Sequence, residues 1–153
     1  MVFKLLTPQI QHIIYGGYMA TKKALLINDD ETTLNTYSYL LSEEGYFVVT
    51  AKSGIRALKA FYHHSFDLVI TDLAMNNGGG FTILGVIKVL SPDTPLIVFL
   101  NKESDIARKS VSLLRTCMLI EKPCNYEMVL SSIRSLLDKN MSGVSNRYNK
   151  PSN

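Results

Sequence analysis

Five short apolar runs, each followed by a segment with helical spacing, constrain this chain more than any other feature. The runs lie at 24–28, 47–51, 68–71, 96–100 and 118–120. Helical patterns fill 31–44, 54–63, 81–90, 104–115 and 125–138. Strands that are apolar along their whole length, rather than at alternate positions, must be covered on both faces. A parallel sheet meets that demand, because each helix carries the chain back to start the next strand in the same direction. The last helical segment is the clearest. Tyr126, Val129, Leu130, Ile133, Leu136 and Leu137 form one stripe at i, i+3, i+4 and i+7 spacing. Asn125 can cap its start, Ser53-Gly54 opens the second helix, and Ser91-Pro92 closes the third.

The 153 residues suffice for one α/β domain with a real core and are too few for two. Five βα units predict a doubly wound, flavodoxin-like parallel sheet of five strands in the order 2-1-3-4-5, with five helices. In such a sheet the ligand site lies beyond the carboxyl ends of the strands, where the winding reverses between the first and third.

Lys and Arg number 16 against 13 acids, but the excess sits at the ends: Lys4, and then Lys139, Arg147 and Lys150. Setting those four aside leaves 12 bases against 13 acids. Such a body has no basic face for direct nucleic-acid binding. No apolar run approaches the ~20 residues of a membrane span. The two cysteines, Cys117 and Cys124, have no metal-ligand spacing and suit a reduced, cytoplasmic protein with buried or half-buried thiols. Residues 1–18 lack the features of a secretory signal. We read them as a non-native or upstream extension, with a natural start at Met19, a domain over 19–138, and a disordered tail or linker start over 139–153.

The acids mark the site. Asp29 and Asp30 follow the first strand and Asp72 ends the third, so three carboxylates converge where the winding reverses. At an effective dielectric near 20, two such charges ~5 Å apart repel by roughly 3 kcal/mol. A cation offsets that repulsion, and hard oxygen ligands around a hydrated site suit Mg²⁺. Lys122 ends the fifth strand just before Pro123, where an ammonium can reach the same pocket. A carboxylate can attack phosphorus when a metal and a cation disperse charge on the transferring oxygens. Taken singly, an Asp at a helix start is as readily a cap, and Lys-Pro is usually a turn. The combination favours function.

These residues resemble a known family. INDDE at 27–31, FDLVITDLAM at 66–75, Gly80 and EKP at 121–123 are similar to the motifs of response-regulator receiver domains, over about 22–137. The resemblance implies that Asp72 accepts a phosphoryl group from a histidine kinase or histidine phosphotransfer protein. It implies a signalling domain rather than an ordinary enzyme. Asp29, Asp30, Asp72 and the Ala74 carbonyl would hold Mg²⁺, directly or through water. Lys122 would contact the phosphoryl oxygens, and the Lys122-Pro123 bond would be cis. Receivers often pair through the face of the fourth helix, fifth strand and fifth helix, so a dimer there is possible on that likeness.

Four positions depart from the family pattern. Leu100 stands where a Ser or Thr hydroxyl is usual, and Leu119 where an aromatic ring is usual. Asn76 replaces a Pro and Asn101 a small residue. The expected pocket is complete while the usual output switch is missing. The alternative is a protein-interaction domain that works without phosphorylation. A haloacid-dehalogenase-like phosphatase would need an Asp two positions after Asp29, where Glu31 stands. A flavodoxin-like cofactor site would need a phosphate-cradling loop, and Asn-Asp-Asp-Glu would repel phosphate. His63 and His64 read as a helix terminus, Gly78 to Gly80 as a turn, and Ser104 as a cap. Ala74 and Lys102 stand where the family tunes phosphoryl lifetime. Tyr37, Tyr39, Tyr46, Phe61 and Phe66 read as packing.

Overall fold

The computed structural model describes residues 22–76, 79–102, 105–114 and 116–142, with backbone alone for 139–142. The expectations for residues 1–18, for Gly78 and for Ser104 lie outside them. Strands and helices alternate: β1 (Lys23–Ile27), α1 (Glu31–Glu43), β2 (Phe47–Ala51), α2 (Gly54–His63), β3 (Leu68–Asp72), α3 (Gly80–Leu90), β4 (Leu96–Asn101), α4 (Asp105–Ser112), β5 (Cys117–Lys122) and α5 (Tyr126–Ser142). All neighbouring strands are parallel, in the order β2-β1-β3-β4-β5. This is the doubly wound sheet the alternation predicts.

Strand side chains point alternately to the two faces, so each face has its own core. Ala24, Leu26, Leu68, Ile70, Ile97, Phe99, Met118 and Ile120 meet Leu34 and Leu41 of α1 and Val129, Ile133 and Leu136 of α5. On the other face, Leu25, Ile27, Val69, Val98, Leu100 and Leu119 meet Ala57 of α2, Ile83 and Ile87 of α3, and Val111 of α4. The central strand β3 is buried at every position.

The predicted caps are made. Ser53 Oγ accepts from Arg56 N at 3.3 Å, and Asn125 Oδ1 accepts from Met128 N at 2.9 Å. Three strands run past their apolar cores, to Asp72, Asn101 and Lys122. Hydropathy ends where side chains turn polar, but the ladder continues because Asn101 still stays in register with Lys122. The last helix, α5, also extends past the expected end at 138 to Ser142. No Gly or Pro interrupts the sequence there before Gly143. The first four residues assigned to a disordered tail are therefore helical. Tyr39 is 63% exposed and packs less than expected, whereas Tyr46 and Phe66 are buried.

Candidate functional site

The carboxyl ends of β1, β3, β4 and β5 open into a pocket of about 890 Å³ lined by Asp29, Asp30, Asp72, Ala74, Asn101 and Lys122 among others. Strand register explains the convergence. Asp72 pairs with Phe99, and Asn101 with Lys122, so these four residues face the side covered by α1 and α5.

Asp72 is nearly buried at 4% exposure and is held from three directions. Its Oδ1 accepts from Ala74 N at 2.8 Å, and its Oδ2 accepts from Asn28 Nδ2 at 3.3 Å. Lys122 forms an ion pair with the same Oδ2. Three contacts of this kind give the carboxylate a fixed orientation. The Lys122-Pro123 bond is cis.

The other two acids are engaged separately. Asp29 Oδ2 accepts from Asn76 N at 2.7 Å, tying the loop after β1 to the loop after β3. Asp30 caps α1: its Oδ2 accepts from Thr33 N at 2.7 Å and from Thr33 Oγ1 at 2.6 Å. The Thr33 hydroxyl, then its backbone amide, hold the Asp30 carboxyl below the usual range. Among the described residues, no three His, Cys, Asp or Glu side chains stand close enough to cage a metal by themselves. The candidate donors are still all hard oxygen, from Asp29, Asp30, Asp72 and the Ala74 carbonyl around one pocket. Such a set would fit Mg²⁺, which is usually bound through one or two carboxylates together with several waters.

Gly80 is required by geometry. A Cβ there would lie 2.8 Å from both Asp72 O and Leu73 Cα, so α3 can start against the Asp72 peptide only with glycine.

A model of the response regulator receiver domain matches residues 24–134. The chain belongs to the response regulator receiver family. Its sequence is 27% identical over 124 residues to the transcriptional regulatory protein GlrR of Escherichia coli, covering 81% of this chain and 28% of that protein. It is 30% identical over 127 residues to a CpxR homolog of Haemophilus influenzae, covering 83% of this chain and 55% of that one. A receiver domain protein from Clostridium thermocellum has the same fold, with a TM-score of 0.70 and 27% identity over 80% of this chain and 99% of its own. The receiver thus spans only part of the length of these two curated relatives. Receivers are signalling domains of two-component systems, phosphorylated by histidine kinases or phosphotransfer proteins. Among the described residues, no helix is long and apolar enough to cross a membrane.

Leu100 and Leu119 are buried together on the opposite face, at 1% and 5% exposure. Neither lines the pocket. Beside them stands a pair that sequence reasoning missed: Arg108 of α4 with Glu121 of β5. A lone acid inside an otherwise apolar strand was the available signal, since a buried carboxylate requires a partner. Asn28 was also missed. The sequence marks it only as a strand end inside the INDDE motif, yet it is 5% exposed and touches Asp72.

Proposed function

We propose that this receiver accepts a phosphoryl group on Asp72 from the phosphohistidine of a histidine kinase or histidine phosphotransfer protein, in a Mg²⁺-dependent reaction. The observation that carries this reading is the Asp72–Lys122 ion pair inside a pocket that Asp29 and Ala74 also line. A carboxylate oxygen of Asp72 forms the bond to phosphorus. The phosphorus–nitrogen bond breaks, and its electron pair returns to the donor imidazole. Lys122 turns from the carboxylate to the incoming phosphoryl oxygens and balances their charge. Asp29, Asp30, Asp72 and the Ala74 carbonyl would hold Mg²⁺, directly or through water. When bound, the metal disperses charge on the transferring group.

In this proposal the output switch is atypical. Leu100 offers no hydroxyl to the phosphoryl group, and Leu119 offers no ring to rotate. The burial of both in one apolar cluster also favours a second reading, an interaction domain that works without phosphorylation. The free thiols Cys117 and Cys124 suit the reducing cytoplasm. Pairing of two copies through α4, β5 and α5 belongs to the same proposal, as does action on a protein target rather than on nucleic acid.

Intact-protein mass after acetyl phosphate treatment, with and without Mg²⁺, tests the first reading. One phosphoryl group is expected on the wild type with Mg²⁺ and none on Asp72→Asn. A folded wild type that gains no mass would leave the second reading standing.

A further inference from the structure

Asn28 follows β1 and is anchored there, its backbone N–H donating to Ala51 O at 3.1 Å. Its side chain bridges two parts of the site. Oδ1 accepts from Asp30 N at 2.8 Å, and Nδ2 donates to Asp72 Oδ2 at 3.3 Å. The first bond fixes which way the amide faces, because only the oxygen can accept from a backbone N–H. The NH₂ group is therefore the end turned toward Asp72.

We infer that Asn28 is a further catalytic residue that shortens the life of the phosphoryl group, a reading that rests on Asp72 being the phosphoacceptor. In hydrolysis, water forms a bond to phosphorus and the bond from phosphorus to the Asp72 oxygen breaks. The electron pair returns to the carboxylate, and the protons of water pass to solvent and inorganic phosphate. Negative charge therefore grows on Asp72 as the phosphoryl group leaves. A hydrogen bond to a carboxylate is about twice as strong as one to a neutral oxygen. Lys122 can follow the phosphoryl oxygens, but Asn28 is held in place by Ala51 and Asp30. Its amide stabilises the departing carboxylate more than the acyl phosphate, so it speeds the loss.

The test is the decay of phosphorylated protein after removal of acetyl phosphate at saturating Mg²⁺, followed by intact mass. Asn28→Leu keeps the size and removes both side-chain bonds. Asn28→Asp keeps the acceptor for Asp30 N and removes the donor to Asp72. Both should lengthen the half-life, by on the order of three- to tenfold. If Asn28→Leu does not fold, Asn28→Asp carries the test alone. A wild-type half-life in Asn28→Asp would mean that the loop anchor alone matters, and it would overturn the inference. So would an unchanged half-life in a folded Asn28→Leu. Failure of the wild type to load at all would instead defeat the phosphoacceptor reading, and this inference with it.

Discussion

Arg108 of α4 and Glu121 of β5 form an ion pair across the face of the sheet opposite Asp72. Glu121 is 8% exposed. Arg108 also donates to Lys102 O at 3.1 Å, so one guanidinium ties α4 and the loop after β4 to the strand that carries Lys122. Glu121 is in register with Leu100. The clamp therefore sits beside Leu100 on that face.

Breaking one side of this pair should be costly. Arg108→Met leaves a carboxylate buried without its partner, a loss of roughly 3–5 kcal/mol. The double variant Arg108→Met, Glu121→Leu should recover most of it, because no charge is then stranded. Urea denaturation of the three proteins measures this. Equal losses in the single and double variants would show that the carboxylate is not the source.

Two glycines should respond in opposite directions. Gly80→Ala places a methyl against the backbone of Asp72 and Leu73 and should destabilise by about 2 kcal/mol. It should also slow phosphoryl loading, since Asp72 itself must shift. Gly85 lies inside α3 with open space around the added carbon. Gly85→Ala should stabilise by about 1 kcal/mol through helix propensity. Thermal melts of both variants check the signs.

Alkaline pH should weaken the fold. Burial pushes the Cys117 thiol from an ordinary 9.0 up to about 12. Burial likewise raises the Tyr37 and Tyr46 hydroxyls to about 12. A group with a raised folded value contributes fully below its unfolded value and loses that contribution as pH climbs to the folded one. Stability should therefore be level below pH 9, as far as these groups go, and fall between about 9 and 12. Cys117→Ala should flatten the early part of that fall, measured by urea midpoints at successive pH values. An unchanged slope would rule the thiol out as its source.

Lys88 bolts the end of α3 to the start of β5. Its Nζ donates to Pro92 O at 3.1 Å, Thr94 O at 2.9 Å and Thr116 Oγ1 at 2.5 Å. Lys88→Met keeps the aliphatic stem but removes all three donations, leaving only the Thr116 hydroxyl to serve Pro92 O and Thr94 O, so it should cost about 1 kcal/mol. Phosphoryl loading should be unchanged, because none of these atoms lines the pocket.

The order of strands and helices was readable along the chain because each element carries its own periodicity. A strand apolar at every position, such as LVIT at 68–71, can be recognised without knowing its neighbours. The carboxylates and Lys122 were readable for a related reason. In a doubly wound sheet the ends of β1, β3 and β5 must point the same way, so residues at those ends converge whatever the packing between them. What each polar group does on arrival was decided only by tertiary structure. Asn28 reaches Asp72 across 44 positions, and Glu121 meets Arg108 through the placement of α4. Asp30 turns to cap α1 while Asp29 holds the next loop. These partners depend on strand register and on where each helix packs. Hydrogen bonds and ion pairs are short-ranged and directional, so a shift of about 1 Å exchanges one partner for another. Sequence periodicity does not carry that precision; the packed sheet supplies it.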